Sequence, residues 1–309
     1  MYHIIVNPAA KSGRGGKIWE GLEPILIERS ISYDVVFSKR AGHVSHYVRK
    51  LTTLTDHSGP IRLIVLGGDG TLNETLQGIA DFDKVELGYI PAGSSNDMAR
   101  DLCLPSDPQA ILDIILSGQT HRIIDIGSIS GKDPDHKRYF AVSSGIGFDA
   151  AVCEEAFSSR WKKFFNKIGL GKLTYLAIAL KQILTAKKVA CNIYLDNNDP
   201  VHYKKFLFVA AMIHQYEGGG FKFCPGADAT DGWFDVCVVG GLPKALLLLA
   251  LPTAFFGKHF IFPGIDRYRC KAMRVETSAP LWVHTDGEVE PATRLLSMTC
   301  HHQQLHLIV

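Results

Sequence analysis

A glycine-rich turn between an apolar run and a helical pattern carries the strongest chemical signal in the sequence. The apolar residues 63–66 are followed by Gly67-Gly68-Asp69-Gly70-Thr71, after which helical periodicity begins. Glycines let peptide N–H groups approach a ligand closely, and the following helix directs its N-terminus at an anion. The turn therefore indicates a phosphate site, although an ordinary strand-to-helix turn capped by Asp69 fits the same residues equally well.

The two common nucleotide-binding patterns are absent from the sequence. A Walker A loop requires G-x-x-x-x-G-K-[ST], but Gly16-Lys17 is followed by Ile18. A dinucleotide pattern that starts at Gly68 reaches Asn73 where its last glycine should stand. A nucleotide would therefore bind through a different arrangement of turns.

Two further polar turns contain glycine and follow apolar runs, at residues 7–16 and 91–100. Lys11 and Arg14 would supply positive charge to phosphates, and Ser94, Ser95 and Asn96 offer hydrogen bonds. Each turn alone is more often an ordinary solvated loop. Three such turns at one sheet edge favour a ligand site.

The elements that must hold these turns alternate along the first third of the chain. Residues 3–6, 33–37, 61–66 and 85–90 have the apolar character of strands, and helical patterns lie between them. Strands that alternate with helices predict an open parallel α/β sheet. The three turns then follow the carboxyl ends of its strands, where such folds bind ligands.

The pattern changes near residue 122, which predicts a second, largely antiparallel β domain. We expect a nucleotide-binding α/β domain at 1–122, a β-rich domain at 123–295, and helical insertions at 173–184 and 244–256. The segment 296–309 would complete the first domain, although the sequence leaves open which domain its last strand, 304–309, joins. The expected strands of the second part are 123–129, 139–143, 189–195, 205–212, 234–239, 269–277 and 281–284.

The composition excludes several classes of protein. With 33 Lys plus Arg against 31 Asp plus Glu, a net charge of +2 and a pI of about 8.1, the chain lacks the basic excess of a nucleic-acid binder. The 46% hydrophobic and 21% charged residues predict a folded protein. We therefore expect any anion recognition to be local, and no nucleic-acid partner.

The cysteines and the apolar segments indicate a cytoplasmic protein. The seven cysteines are scattered without a C-x-x-C pair, so neither a disulfide framework nor a zinc site is predicted. Residues 1–8 lack the features of a secretory signal. The most apolar window, 245–256, is interrupted by Pro252 and is shorter than the roughly 20 residues that span a bilayer.

Three motifs in this order resemble the diacylglycerol kinase catalytic-domain family of soluble lipid kinases, which also includes sphingosine kinases. They are the turn 67–71 with Asn73 and Glu74, the segment 93–97 with Ala99 and Arg100, and Asp286-Gly287-Glu288. The resemblance spans nearly the whole chain. It implies an N-terminal nucleotide-binding domain, a C-terminal lipid-substrate domain of β structure, and ATP bound in the cleft between them.

The resemblance also implies individual roles. Matching the family's motif makes Asp286 or Glu288 the candidate base. From the residues themselves, Asp69 would help to hold a catalytic Mg²⁺, directly or through water, in a network that includes Asp97 and Asp125. Exposure at a strand edge explains Asp125 equally well. The family more often has Thr at Ser38 and Ser94, but both residues keep the hydroxyl. The expected nucleotide-binding residues are Asn7, Pro8, Ala9, Ala10, Lys11, Ser38, Gly67, Gly68, Asp69, Gly70, Thr71, Leu72, Ser94, Asn96 and Asp97.

The segment 224–235 resembles a family segment that binds a structural Mg²⁺. The implied ligands are the Asp231 side chain, a group from Asp228 and the backbone carbonyl of Trp233. Oxygen donors suit Mg²⁺. Before the resemblance is considered, an Asp-Gly turn between strands explains these residues equally well.

Residues 160–167 interleave cations with aromatic side chains, as interfacial segments do. A solvated basic helix with its aromatics in the core is the more frequent origin of such a pattern.

The histidines complete no metal pattern, and we expect them to be solvated. They are His43, His46, His301, His302 and His306.

Together these features predict an ATP- and Mg²⁺-dependent lipid kinase that phosphorylates diacylglycerol to phosphatidic acid. Its partners would be a nucleotide and a lipid substrate at a membrane surface, with peripheral membrane association; a homodimer is left open. One alternative is an NAD kinase, a family that also carries a Gly-Gly-Asp-Gly-Thr turn. The other is a catalytically silent protein that binds nucleotide or lipid.

Overall fold

The computed structural model describes residues 1–54, 59–131, 137–158 and 171–309. The chain forms two compact units. Unit 1 contains Met1–Ile126 and His302–Val309, and unit 2 contains Gly127–His301. The basic aromatic segment 160–167 lies outside the described residues.

Unit 1 is built around a parallel sheet with the strand order β2-β1-β3-β4-β13. This confirms the predicted α/β architecture. The C-terminal segment that the sequence left open pairs with β4, where His306 aligns with Glu86. The elements are β1 Tyr2–Val6, α1 Ala10–Glu28, β2 Tyr33–Phe37, α2 His43–Leu54, β3 Ile61–Gly67, α3 Asp69–Gly78, β4 Val85–Pro91, α4 Asp97–Asp101, α5 Pro108–Ser117, the first part of β5 His121–Ser130, and the end of β13 Glu288–Ile308.

Apolar side chains on one face of each helix bury the faces of this sheet. Trp19, Leu22 and Leu26 of α1 pack in one core with strand residues such as Ile64. Helix α5 begins where the Asp107 carboxylate accepts hydrogen bonds from two backbone amides of its first turn, and it ends at a left-handed glycine. The sheet is thereby held rigidly enough to present the turns at its strand ends.

Unit 2 is a largely antiparallel β structure, as predicted. Strand β9 pairs with β7, β8 and β10, and β12 pairs with β7, β8 and β13, all antiparallel. A core that includes Phe208, Cys237 and Leu247 lies between the strands and the helix Lys244–Ala254. The further elements are β6 Lys137–Phe140, β7 Ser143–Gly147, α6 Phe148–Ser158, α7 Gly171–Thr185, β8 Val189–Leu195, β9 Val201–Met212, β10 Phe234–Gly240, α8 Lys244–Ala254, β11 Ile265–Cys270 and β12 Ala272–Thr285.

Two strand predictions were wrong because distant carboxylates divide them. The predicted strand 139–143 is split between β6 and β7, since the amides of Ala141 and Val142 donate to the Asp286 carboxylate. The predicted strand 269–277 is split at Lys271, whose amide donates to Asp196. The predicted strand 281–284 is the end of the long β12.

No helix within the described ranges combines the length and apolar content needed to cross a bilayer.

Candidate active site

The three polar turns of unit 1 are joined by hydrogen bonds. Asn7, after β1, donates from Nδ2 to the Thr71 hydroxyl at 2.9 Å. The Asp69 carboxylate, at the start of α3, accepts a hydrogen bond of 2.9 Å from the backbone amide of Asn96. The structure therefore brings together the turns that follow β1, β3 and β4, as a shared ligand site requires.

Close backbone approach explains two of the glycines in these turns. A methyl group on Gly93 would lie 2.7 Å from the Cα of Gly68. A methyl group on Gly15 would lie 2.0 Å from the carbonyl oxygen of Asn7. Both distances are below van der Waals contact, so a larger residue at Gly93 would push apart the turns after β3 and β4, and one at Gly15 would distort the first turn.

The first turn has an unusual backbone. Lys11, Ser12 and Gly13 have positive φ angles of 45°, 58° and 97° inside the span of α1. Left-handed conformations at non-glycine residues cost about 1 kcal/mol or more each, and such strain often lies at functional sites. The Lys11 and Arg14 side chains are exposed, so both can reach an anion.

The remaining predicted nucleotide-contacting residues also lie in unit 1. Pro8, Ala9 and Ala10 belong to the first turn, and the Ser38 amide donates to the carbonyl of Val6 beside it. Leu72 is 1% exposed, so its side chain belongs to the core and only its backbone could approach a ligand.

The third turn is shaped by Asn96. Its φ of 50° is left-handed, and its side chain accepts from the Gly93 amide at 2.9 Å and donates to the Gly93 carbonyl at 3.2 Å. Ser94 is exposed at the turn, whereas Asp97 is buried and lies 3.9 Å from the Arg100 Nε. Asn96 thus fixes the backbone that holds Asp69.

Asp125 is fully buried rather than exposed at a strand edge. Its carboxylate accepts from the Gln303 amide at 2.7 Å and lies 3.0 Å from the His302 Nδ1. His302 is exposed, as expected, and this contact also gives its ring a hydrogen-bond partner. His301 departs from that expectation, since its Nε2 lies 2.8 Å from the Ser128 hydroxyl.

In unit 2, Asp286 and Gly287 form the two-residue turn between β12 and β13. Their φ angles are 50° and 83°, as in the hairpin turn that favours Asp-Gly. The Asp286 carboxylate accepts amide hydrogen bonds from Ala141 at 3.0 Å, Val142 at 2.8 Å and Ser143 at 3.1 Å. Both carboxylate oxygens therefore hold the segment between β6 and β7, while Glu288 begins the next strand.

A buried histidine beside this turn was missed at the level of sequence. His284 is 0% exposed, and its Nε2 lies 3.1 Å from Asp149 and 3.2 Å from Glu217. Burial lowers the pKa of His284, but Glu217, Asp149 and Asp286 outweigh that effect and raise the pKa to about 9. Strand alternation places the His284 side chain on the opposite face of the sheet from the side chains of the residues next to it in β12. No local sequence pattern indicates that Asp149 and Glu217 lie beside it.

The His284 Nδ1 accepts a hydrogen bond of 3.3 Å from the Gly287 amide. A proton on Nδ1 would oppose that amide and replace this hydrogen bond, but the two carboxylates at Nε2 are closer and charged, so the pKa of His284 stays raised. Ligand atoms of Asp149, Glu217 and His284 lie within 4.8 Å of one another, a spacing that suits a metal ion. Both ring nitrogens already have protein partners, however, and the cluster is satisfied as an ion-pair group.

The predicted magnesium segment has the expected oxygen donors. The Asp231 carboxylate accepts from the Trp233 amide at 3.0 Å and pairs with Arg269, and Asp228 accepts from the Thr230 amide at 2.9 Å. Burial raises the pKa of Asp231, although the Trp233 amide and Arg269 oppose that effect. The donor types fit Mg²⁺, but an ion would have to compete with Arg269 for Asp231.

Two family models match successive parts of the chain. Residues 1–129 match the family model described as diacylglycerol kinase catalytic domain. Residues 141–309 match the model described as YegS C-terminal NAD kinase beta sandwich-like domain. A diacylglycerol kinase of Mycobacterium tuberculosis is 30% identical over 285 residues, which cover 92% of this chain and 87% of that protein.

Solved structures show the same fold. A diacylglycerol kinase from Bacillus anthracis has a TM-score of 0.70 and 20% identity, covering 99% of this chain and 96% of that one. An NAD kinase from Archaeoglobus fulgidus in complex with ATP has a TM-score of 0.53 and 14% identity, covering 100% and 94%. At these identities, both likenesses concern the fold alone.

Proposed function

Because the chain belongs to the diacylglycerol kinase family and is a lipid kinase, we propose that it transfers the γ-phosphate of ATP to diacylglycerol, with Mg²⁺. The acceptor hydroxyl oxygen forms a bond to the γ-phosphorus as the bond to the bridging oxygen of ADP breaks. The hydroxyl proton passes to a base, and the products are phosphatidic acid and ADP. The observation that carries this proposal is the hydrogen-bonded set of three turns in unit 1.

The turns would act by binding and orienting the nucleotide. Phosphoryl transfer needs alignment and charge neutralisation more than covalent chemistry from the protein. Peptide N–H groups of the glycine turns would face the phosphates, and Lys11 and Arg14 would add positive charge. Asp69 offers carboxylate oxygens to Mg²⁺, which when bound would neutralise phosphate charge.

We assign the base to Glu288 rather than to Asp286. The three amide hydrogen bonds engage both oxygens of Asp286 and make it part of the hairpin framework. Glu288 follows that rigid turn and is partly exposed, so it can meet a substrate hydroxyl.

Diacylglycerol is proposed as the acceptor because named relatives of 30% identity are diacylglycerol kinases. Two observations support the NAD kinase alternative. The second family model is described as an NAD kinase beta sandwich-like domain, and one solved structure of similar fold is an NAD kinase. The two differ in substrate, so a direct assay separates them.

The test is phosphorylation by radiolabelled ATP and Mg²⁺ of diacylglycerol, monoacylglycerol, ceramide, sphingosine, undecaprenol and NAD, each offered separately. We expect labelled phosphatidic acid from the wild-type protein. Loss of the general base in Glu288→Gln should lower the rate about 10²- to 10⁴-fold. Labelling of NAD without any lipid would refute the proposal, as would full activity of Glu288→Gln.

A structural Mg²⁺ at Asp228, Asp231 and Trp233 remains a prediction of the family resemblance. The oxygen donors support it, and the pairing of Asp231 with Arg269 opposes it.

A further inference from the structure

The outward face of helix α8 is apolar along its whole length. Ala245, Leu249, Pro252 and Phe256 follow one another at helical spacing and are all exposed. Leu249 is 61% exposed and Phe256 is 76% exposed. A helix that only covered a core would carry polar residues on this side. We call these four residues, with Phe255 and Ile261, the α8 apolar face.

The opposite side of α8 is firmly packed. Leu247, Ala250 and Ala254 are buried, and Leu247 and Ala250 lie in the core of unit 2. Just beyond the helix, the ring centroids of Phe221 and Phe255 are 3.9 Å apart. Ile261 extends the apolar surface and is 75% exposed. The face is therefore a rigid, exposed surface and not an unfolded end.

Cationic side chains lie at both ends of this face. Residues 241–264 contain no Asp or Glu, and the exposed Lys244 and Lys258 flank the helix at its two ends. Lys188 donates to the carbonyl of Leu242, just before the helix. Burial, and then the nearby charges of Lys205 and Lys244, lower the pKa of Lys188. Cations thus crowd the start of α8.

We propose that the α8 apolar face docks on an anionic lipid surface. Leu249, Phe256 and Ile261 would enter the boundary between headgroups and acyl chains, and Lys244 and Lys258 would meet lipid phosphates. This inference deepens the proposed function on which it rests, since diacylglycerol resides in membranes. A second copy of the chain is a poorer partner, because pairing of two such faces would bring lysines against lysines.

The test is cosedimentation of the full chain with vesicles, without nucleotide. We expect binding to vesicles of phosphatidylcholine with phosphatidylglycerol and much weaker binding to phosphatidylcholine alone. Leu249→Glu combined with Phe256→Glu should lower the partition coefficient about tenfold or more, because each residue loses apolar burial. Lys258→Gln should lower it about fivefold on anionic vesicles only.

The control is Ile27→Glu, which places one glutamate on an apolar residue of α1 in unit 1 that is 65% exposed, and it is compared with Leu249→Glu and Phe256→Glu singly as well as with the double variant. It should bind vesicles like the wild type, and equal melting temperatures would show that all variants fold. Absence of wild-type binding to anionic vesicles would overturn the proposal, as would an equal loss in Ile27→Glu. Dissociation of a dimer by the double variant, with vesicle binding unchanged, would also overturn it by assigning the face to self-association.

A second measurement separates this proposal from the proposed function. The double variant should phosphorylate diacylglycerol in neutral detergent micelles at the wild-type rate, because docking is not needed there. If the protein binds anionic vesicles but does not phosphorylate diacylglycerol, the docking surface is supported and the proposed function is refuted. An active kinase that does not bind anionic vesicles would show the reverse.

Discussion

Replacing Asp286 with asparagine should chiefly destabilise unit 2. Asparagine tolerates the left-handed φ of 50° at this turn position, so the backbone has no reason to change. Its single carbonyl oxygen can accept from Val142 and Ser143, but its NH₂ group then faces the Ala141 amide. Two donors would oppose each other where a carboxylate oxygen now accepts.

The expected cost follows from these three bonds. Loss of a hydrogen bond to a charged acceptor costs about 1.5–3 kcal/mol. Replacement of an ionic by a neutral acceptor weakens the other two bonds by about 1 kcal/mol together. The free energy of unfolding of unit 2 should therefore fall by about 2.5–4 kcal/mol, which corresponds to about 5–15 °C in its melting temperature.

Amide hydrogen exchange is the most direct assay. A loss of about 2.5–4 kcal/mol should accelerate exchange of the 141–143 amides by about 70-fold to 900-fold. Glu288→Gln is the matched control at the same hairpin, and it should leave exchange unchanged while removing activity. If Asp286→Asn keeps wild-type exchange and melting but loses all activity, the assignment of a framework role is wrong and Asp286 is the base.

Three other perturbations test separate parts of the structure. Addition of Mg²⁺ should raise the melting temperature of the wild type but not of Asp231→Ala; identical melting with Mg²⁺ and with chelator in the wild type would remove the structural ion. The pKa of His284 is raised to about 9 from an unfolded value of 6.5, so its stabilisation is complete below pH 6.5 and is lost as pH rises through 9. Urea unfolding from pH 6 to 10 should show this decline and Glu217→Gln should flatten it, whereas equal slopes would contradict the ion-pair cluster. Gly93→Ala places a methyl group 2.7 Å from the Cα of Gly68 and should weaken ATP binding in calorimetry and lower stability by about 1–3 kcal/mol. The control Gly21→Ala, whose methyl group would meet no atom within 4 Å, should do neither.

The parallel sheet of unit 1 was predictable because its signals are local. Strands β1 to β4 are short apolar runs, and each turn that follows β1, β3 or β4 contains glycine. The hydrogen bonds from Asn7 to Thr71 and from Asn96 to Asp69 then arise because the ends of parallel strands share one edge.

Unit 2 was less predictable because distant residues decide its details. The break after β6 depends on Asp286, which lies about 145 positions away in sequence, and the break at Lys271 depends on Asp196. The Asp286-Gly287 pair between β-like runs is itself a hairpin signal that local reasoning could have used. The partners of His284 are Asp149 of α6 and Glu217 of a loop, so no regular spacing in the sequence predicts them.

The last strand has a consequence for biosynthesis. Residues 302–309 complete the sheet of unit 1, beside β4, but the ribosome makes them only after the whole of unit 2. Until then β4, an almost entirely buried strand, has an open edge that invites pairing with other chains. The nascent protein is therefore most vulnerable to aggregation late in translation, and loss of these few residues should expose that edge permanently.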